Sequence, residues 1–410
     1  MFDNRILEMI NKAETEVQDD FKYVDNIALL NTDKILKAFQ NNNVALRHFA
    51  GTNGYGYDDI GRDKLAEVYA EIFHTESALV SPQMVSGTHA LTIMLFSNLR
   101  PGDSLLSISG KPYDTLQEVI GGTNIGSLKD YNIGYDEVML KDGNFDFDTI
   151  REKITTNSSI KGIFIGRSRG YEWRNALSVE QIGEAIKFVK SIRDDLIVMI
   201  DNCYGEFVEL YEPTDVGADL MAGSLNKNPG GGIVNSGGYI VGKEKYVEQA
   251  AYRLTAPSIG SEVGSYAGGY QQFYQGLFTA PTVVANAIKG SILFGQVYHN
   301  LGYETMPAPH EVNHDIIRSI KFDTSEELIE FVKAIQFASP IDSNVEPCPW
   351  PMPGYEDDVI MAAGTFVQGA SIELSCDSPI RAPYIAYLQG GLTYEHVKLA
   401  LMQTLKYLKK

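Results

Sequence analysis

Apolar runs of strand length alternate with helix-like segments along the middle of the chain. The strand-like runs are Ser104–Ser109, Gly162–Gly166, Leu196–Ile200, Ala218–Ala222 and Gly238–Val241. Between two of them, a capping box of Ser178 and Gln181 opens a segment whose apolar residues recur at helical spacing up to Ile192. This alternation indicates βα units around a mostly parallel sheet. We therefore predict the α/β class, with a three-layer α/β/α large domain.

A long helical pattern from Val283 to Leu301 ends at Gly302 and is followed by prolines at positions 307 and 309. A helix does not continue through such a sequence, which predicts a domain boundary. Beyond it we expect a strand, a helix, a proline-rich loop and a closing helix, over Ile316–Phe322, Ser325–Ala338, Pro347–Pro353 and Tyr394–Leu408. The predicted units are an N-terminal helical segment (1–50), a large domain (51–302) and a small C-terminal α+β domain (303–410).

Charge and composition narrow the possible partners. The 410 residues include 34 Lys or Arg and 53 Asp or Glu, a formal net charge of −19. Such an acidic surface repels phosphate backbones, so we expect neither nucleic acid nor a membrane as a partner. Three cysteines without a CxxC pair, and an N-terminus unlike a secretory signal, favour a cytoplasmic location. The longest apolar stretches, Ala90–Leu99 and Ile292–Val297, fall short of the roughly 18 residues of a membrane span.

The first candidate for ligand chemistry is the segment Val85-Ser86-Gly87-Thr88-His89-Ala90, which leads into an apolar helix. A glycine-containing turn at a helix start presents backbone N–H groups and the positive end of the helix dipole, which together can hold a phosphate. The hydroxyls of Ser86 and Thr88 add donors. A simple helix N-cap explains the same residues equally well.

Two further candidates follow strand-like runs. Asp201 comes directly after Leu196–Ile200, and Lys227 lies in a loop rich in Ser, Asn, Pro and Gly after Ala218–Ala222. The carboxyl ends of strands in an open α/β sheet face the ligand crevice. Taken singly the two residues discriminate poorly, because such a carboxylate can also bind metal or cap a helix, and most loop lysines are solvated.

The three features together match one cofactor. Pyridoxal 5'-phosphate needs an amine that reacts with its aldehyde, an acid beside its pyridine nitrogen and an anchor for its phosphate. Lys227, Asp201 and the segment around Gly87 supply these groups. We therefore predict pyridoxal phosphate as the cofactor.

Seven sequence blocks, taken in order, resemble a known branch of the fold-type I pyridoxal-phosphate enzymes of cysteine and methionine metabolism, the methionine gamma-lyase-like or aluminium-resistance proteins. The blocks are Gly54–Arg62, Val85–Ala90, Gly110–Thr115, Arg167–Trp173, Asp201–Asn202, Ser224–Lys227 and Pro379–Tyr384. The resemblance covers the chain from about Gly51 onward. It implies the PLP-dependent transferase-like fold and a lyase that breaks a carbon–sulfur bond, of the cystathionine beta-lyase or methionine gamma-lyase type.

The resemblance also implies roles for individual residues. Lys227 would form the Schiff base, Asp201 would pair with the pyridinium, and Tyr113 would stack on the pyridine ring. The implied phosphate ligands are Ser86, Gly87, Thr88 and Ser224.

Tyr55 and Tyr57 correspond to a segment that in related enzymes reaches into the neighbouring subunit's site. The resemblance therefore implies a homo-oligomer, a dimer at least and a tetramer by expectation. The better-known lyases have Tyr-x-Arg in this segment, whereas this chain has Tyr55-Gly56-Tyr57, with Arg62 further on. They also have an Asn-Pro motif where this chain has Arg167–Tyr171.

Arg381 lies in the stiff segment Ser378-Pro-Ile-Arg-Ala-Pro383. A guanidinium can hold the carboxylate of an amino-acid substrate through two parallel hydrogen bonds. From the residues alone a surface ion pair is as good an explanation, and the resemblance favours the substrate role. The predicted reaction is thus elimination from a sulfur-containing amino acid. The alternatives are an aminotransferase or an aldolase on the same scaffold.

Two short patterns suggest other chemistry. His310-Glu311-Val-Asn-His314 fits the HExxH pattern of zinc peptidases, but prolines precede it and a strand-like alternation follows. Gly237 to Lys243 fits part of a P-loop, but Glu244 stands where a Ser or Thr ligand of magnesium belongs. We therefore expect no metal site, and keep a zinc peptidase as the remote alternative.

Overall fold

The computed structural model describes residues 3–352 and 357–407. Pro353 and Leu408, at the ends of the predicted proline-rich loop and closing helix, lie outside these residues. The described helices are α1 (Asn4–Glu16), α2 (Gln18–Asn41), α3 (Ile60–Ile72), α4 (Gly87–Asn98), α5 (Asp114–Gly121), α6 (Phe147–Thr156), α7 (Val179–Ile192), α8 (Glu244–Leu254), α9 (Gln271–Asn300), α10 (Ser325–Ala338) and α11 (Tyr394–Tyr407).

A seven-stranded sheet forms the centre of the larger unit, in the order β1-β7-β6-β5-β4-β2-β3. Its strands are β1 (Ser77–Ser81), β2 (Ser104–Ser107), β3 (Gly134–Glu137), β4 (Ile160–Gly166), β5 (Ile197–Asp201), β6 (Leu220–Ser224) and β7 (Gly238–Gly242). The pairs from β3 to β6 are parallel, and β7 is antiparallel to both of its neighbours. The mostly parallel α/β sheet predicted from the sequence is confirmed.

The central strands are buried on both faces, as helix-covered parallel strands must be. In β5, Met199 packs in one apolar cluster with residues of α4, α5 and α8. Its neighbours Val198 and Ile200 point the other way, into a cluster with α3, α6, α7 and α9. This alternation along one strand produces the three layers, because successive side chains of a strand point to opposite faces.

A second sheet of five antiparallel strands has the order β10-β11-β12-β9-β8. Its strands are β8 (Glu304–Met306), β9 (Ile317–Phe322), β10 (Val359–Ala362), β11 (Ser375–Pro379) and β12 (Tyr384–Gln389). Helices α10 and α11 pack on it together with α9. All strands of this sheet follow the turn at Gly302, although the predicted domain limits at residues 50 and 302 themselves stay a prediction.

Helix α9 begins earlier than the predicted Val283–Leu301 pattern. It starts at Gln271 and includes Pro281 in its interior. Among the described residues it alone is long and apolar enough, by composition, to cross a bilayer. The expected length of the longest apolar stretch is therefore wrong, because the apolar character of Ile292–Val297 continues through the preceding turns of α9. In the fold, 61% of the most apolar 18-residue stretch of α9 is buried, so the apolar residues of this helix belong to the protein core.

Candidate functional site

A cleft of about 920 Å³ lies at the carboxyl ends of the parallel strands and is closed on its far side by the small sheet. Strand β5 ends at Asp201 and strand β6 ends at Ser224, three residues before Lys227. All three side chains line this cleft. The neighbouring positions of β5 and β6 in the sheet bring the predicted acid and amine together, as the strand-end argument requires.

Asp201 is held in a defined position. The residue is 8% exposed, and its Oδ1 accepts a hydrogen bond of 3.0 Å from the backbone N–H of Cys203. Burial raises the pKa of the Asp201 carboxyl, while the charge of Lys227 and the hydrogen bond from Cys203 oppose that shift. The carboxylate therefore gains from any cationic group that enters the cleft beside it.

Lys227 extends into the same part of the cleft. Its Nζ lies 4.1 Å from the centroid of the Tyr204 ring, a distance typical of a cation–π contact. Burial works against the charged ammonium, but the surrounding acidic groups, Cys203 first among them, outweigh burial and raise the pKa of Lys227. Tyr204 has a left-handed backbone conformation, with φ at 74°, and such strain at a non-glycine residue is common in functional sites.

The start of α4 forms one end of the cleft. The hydroxyl of Ser86 caps the helix by accepting from the N–H of His89 at 3.1 Å. Gly87 and Thr88 stand first in the helix, where N–H groups have no intrahelical acceptor, and both line the cleft. Tyr113 lies beside them and donates a 2.8 Å hydrogen bond from its hydroxyl to Oγ1 of Thr88.

The space at Gly87 tests whether this end of the cleft suits a phosphate. A Cβ atom at Gly87 would lie 3.3 Å from Sγ of Cys203, a tight approach, and 3.4 Å from Cβ of Ser224, an ordinary contact. The absence of a side chain opens the approach to the backbone N–H groups, and the Ser224 hydroxyl lies at the same place, donating to Oδ1 of Asn226. Amide and hydroxyl donors at a helix start fit a phosphate group.

Arg381 also lines the cleft, from the opposite wall. Its side chain is 52% exposed, and its Nη1 lies 2.9 Å from Oδ2 of Asp357. The structure therefore agrees in part with both interpretations of Arg381, a substrate ligand and a surface ion pair. The residue lines the cleft and also makes an exposed ion pair.

Tyr55 and Tyr57 do not reach this cleft within the chain. They are 72% and 62% exposed, and their ring centroids lie 5.6 Å apart in a turn on the surface. Arg62 is not free to bind a ligand near them, because its Nη1 donates to the carbonyl oxygen of Gly56 at 2.9 Å and its Nε pairs with Asp63. In this chain, then, Arg62 holds the turn that presents the two tyrosines.

The HExxH segment forms no metal site. Nδ1 of His310 lies 2.8 Å from Asp20 and Nδ1 of His314 lies 3.0 Å from Glu209, so the two imidazoles have different partners in irregular backbone. Within residues 3–352 and 357–407, no group of three or more His, Cys, Asp or Glu side chains could hold a metal ion. The P-loop-like segment forms strand β7.

Several residues that line or adjoin the cleft were not predicted from the sequence to be functional. Arg169 is fully buried beside the cleft and pairs with Asp315 at 3.0 Å, so it joins the strand β4 side to the small sheet. Tyr204 and Asp377 line the cleft near Lys227. The placement of Tyr204 three residues after Asp201 was a usable signal, whereas nothing in the sequence around Asp377 indicates which way its side chain faces.

Comparison with known proteins agrees with this architecture. The family model described as methionine gamma-lyase matches residues 6–409. The protein YnbB of Bacillus subtilis, whose function is uncharacterized, is 52% identical over 402 residues, covering 96% of this chain and 95% of YnbB. A crystal structure from Clostridium novyi, described as a carbon-sulfur lyase involved in aluminum resistance, is 50% identical with a TM-score of 0.95, covering 98% of this chain and 96% of that one.

A more distant structure shows the fold alone. The pyridoxal-5'-phosphate-dependent protein YhfS of Escherichia coli is 14% identical, with a TM-score of 0.62 over 95% of this chain and 97% of that chain. The fold predicted from the sequence, that of the fold-type I pyridoxal-phosphate enzymes, is confirmed. The match along nearly the whole sequence shows that the chain belongs to the methionine gamma-lyase family.

Proposed function

We propose that the protein is a pyridoxal-phosphate-dependent carbon–sulfur lyase that acts on a sulfur-containing amino acid. The observation that carries the proposal is the meeting of Lys227, Asp201 and the start of α4 in one cleft. Two neighbours support the reaction class: the Clostridium novyi protein described as a carbon-sulfur lyase and a Clostridium acetobutylicum protein provisionally described as a cystathionine beta-lyase.

Four groups of this chain would hold the phosphate of the cofactor, and two more would hold its ring. The N–H groups of Gly87 and Thr88 and the hydroxyls of Ser86 and Ser224 are the proposed phosphate ligands, and Tyr113 would cover one face of the ring. When bound, pyridoxal phosphate supplies an aldehyde that reacts with amines and a ring that takes up the electron pair released at the substrate Cα. Asp201 would keep a proton on the pyridine nitrogen, because its buried carboxylate favours a cation beside it.

The remaining steps belong to Lys227 and Arg381. Arg381 would bind the carboxylate of the amino acid, exchanging its partner Asp357 for the substrate. Nζ of Lys227, displaced by the substrate amine, would remove the proton from Cα. A thiolate would then leave from the β or γ carbon, and hydrolysis would give a thiol, a 2-oxo acid and ammonia.

An absorption spectrum of the purified protein, recorded after incubation with pyridoxal phosphate and removal of the unbound cofactor, tests this proposal. We expect a visible band for the wild type and for Lys111→Ala, which removes a different lysine from the same cleft, but not for Lys227→Ala. The wild type should also release thiol from L-cystathionine. A colourless wild type excludes the cofactor, whereas amino transfer to an added 2-oxo acid without thiol release indicates an aminotransferase.

We also propose that the active form is a homo-oligomer, a dimer at minimum with a tetramer expected, in which Tyr55 and Tyr57 enter the cleft of a second copy. Their exposure on the surface supports this arrangement. Subunits with Lys227→Ala and subunits with Tyr55→Ala and Tyr57→Ala should each be poorly active alone. After the two variants are mixed and reassembled, activity should return. In each mixed dimer, one cleft then combines an intact Lys227 from one subunit with intact Tyr55 and Tyr57 from the other. No regain means that each cleft uses only its own chain.

A further inference from the structure

Asp377 is a carboxylate of the cleft that lacks a cationic partner. It lies in β11, is half-buried and lines the cleft. Its Oδ2 accepts a 3.2 Å hydrogen bond from Nε2 of Gln389, a neutral group. In the described part of the chain, no Lys, Arg or His nitrogen lies within 4.0 Å of it, whereas the nearby Asp357 pairs with Arg381.

The surroundings of Asp377 make this carboxylate receptive to a cation. Burial raises the pKa of Asp377 to about 6, and both Gln389 and the charge of Lys227 oppose that shift. At neutral pH the carboxyl is mostly ionised, and a half-buried carboxylate without a counter-ion is unfavourable.

The position of Asp377 suits the side chain of a substrate. Asp377 precedes Arg381 by four residues on one segment of chain, so their Cα atoms lie at most about 13 Å apart. Asp377, Lys227 and Arg381 all line the same cleft, so a substrate bound there lies within one cavity with all three. The cleft, at about 920 Å³, has room for an amino acid with an extended side chain.

We infer that Asp377 binds a cationic group on the side chain of the amino-acid substrate, so that the thiol released carries an ammonium group. This inference rests on the proposed function and narrows its substrate class to thioethers with a second amine. Asp377 is thus a specificity-determining residue, and the elimination itself needs no step from it.

Equilibrium binding to the holoenzyme tests the inference without turnover. L-lysine and L-norleucine share one carbon chain and differ in the terminal ammonium, and neither has a thiolate to release. By titration calorimetry we expect the wild type to bind L-lysine at least about 10-fold more tightly than L-norleucine. Asp377→Asn should abolish this preference, while Asp142→Asn, the same change at an exposed turn, should preserve it.

If Asp377→Asn weakens the binding of both ligands equally, the inference is overturned. It is also overturned if the wild type binds both ligands equally well, and that measurement does not depend on the variant folding. A kinetic comparison separates the inference from the proposed function. Thiol release from S-(2-aminoethyl)-L-cysteine should exceed that from S-ethyl-L-cysteine by a similar factor in kcat/KM. If neither substrate releases thiol, the lyase proposal loses support, while the calorimetric ratio still decides the role of Asp377.

Discussion

The two walls of the cleft are built differently. The wall formed by the large sheet consists of buried and half-buried groups held by hydrogen bonds: Asp201 accepts from the backbone of Cys203, and Tyr113 donates to Thr88. On the wall formed by the small sheet, Arg381 is half exposed and pairs with Asp357, a partner that a ligand can displace. Under the proposed function, this difference would place the chemistry in the rigid wall and substrate selection in the adjustable one.

The rigidity of the large-sheet wall has a source beneath it. Arg167 follows β4, is fully buried, and donates to Oδ1 of Asn202 at 2.9 Å and to Oε1 of Glu209 at 2.7 Å. Its backbone N–H donates to the carbonyl oxygen of Asp201 at 3.1 Å. A second carboxylate, Glu212, lies 3.5 Å from the same guanidinium. This network ties the ends of β4 and β5 together at the backbone of Asp201 and at the following residue, Asn202.

Removing the support should give the largest effect. Arg167→Met leaves Glu209 and Glu212 without their buried cation, which typically costs about 3–5 kcal/mol. Urea unfolding should show that loss in the free energy of unfolding. Arg381→Met, which removes an arginine from the adjustable wall, should change stability by less than about 1 kcal/mol. Similar losses for both variants would contradict the contrast between the walls.

Asp201→Asn should affect the reaction more than the fold. The amide keeps the shape but has no charge to hold a proton on the pyridine nitrogen, so we expect kcat for thiol release to fall by about 10²–10³-fold. Steady-state kinetics on cofactor-saturated protein measures this, with Asp142→Asn as the control at an exposed turn. A loss smaller than threefold would show that Asp201 has no part in the reaction.

Glu206 provides a pH test of the rigid wall. It is fully buried, its Oε1 accepts from the Tyr239 hydroxyl at 2.7 Å, and burial raises its pKa to about 8. The folded state therefore holds this proton more tightly than the unfolded state, so Glu206 lowers stability as the pH rises from about 4.5 to 8.

Glu206→Gln should remove that pH dependence. Between pH 5.5 and 7.5, the free energy of unfolding of the wild type should fall by up to about 2.7 kcal/mol more than that of the variant, at 1.36 kcal/mol per pH unit. Urea titrations at the two pH values measure the difference. Parallel pH profiles would mean that Glu206 is ionised in the folded protein.

The smallest effect is expected on the adjustable wall. Arg381→Gln should raise KM about 10-fold, the size of one lost charge-assisted contact, and leave the visible spectrum of the bound cofactor unchanged. Arg381→Lys should recover part of the loss, because an ammonium keeps the charge but not the paired geometry. A fall in kcat with unchanged KM would instead place Arg381 in the chemical steps.

Much of the rigid wall was predictable because its parts are local in sequence. An apolar run followed by Asp201, and another followed by Ser224 and Lys227, each indicate a strand end. Parallel packing then brings those ends together whatever the details. Strand β1 was missed, because five residues bounded by serines carry a weak pattern and the strand exists through its pairing with the distant β7. The first turns of α9 were missed because Pro281 interrupts the helical signal.

Residues of the adjustable wall were less predictable. Arg381 was identified from its setting, but its pairing with Asp357 depends on a turn that only the folded chain defines. Asp377 gave no signal, since a carboxylate in a short strand faces either cleft or solvent according to the register of its sheet. Tyr55 and Tyr57 are exposed in this chain, so their place in a site stays a prediction.

By itself, the sequence determined the α/β class, the family, and the set of three features that suits pyridoxal phosphate: an amine, an acid and a glycine-containing helix start. These depend on periodicity and on short contiguous motifs. The tertiary structure alone decided which charges are buried and paired. It assigned Arg167 and Arg169 to buried ion pairs, gave the two imidazoles of the HExxH segment different carboxylate partners, and left Asp377 in the cleft with a neutral partner. The physical reason is that burial and pairing arise between segments far apart in the chain, which no local pattern records.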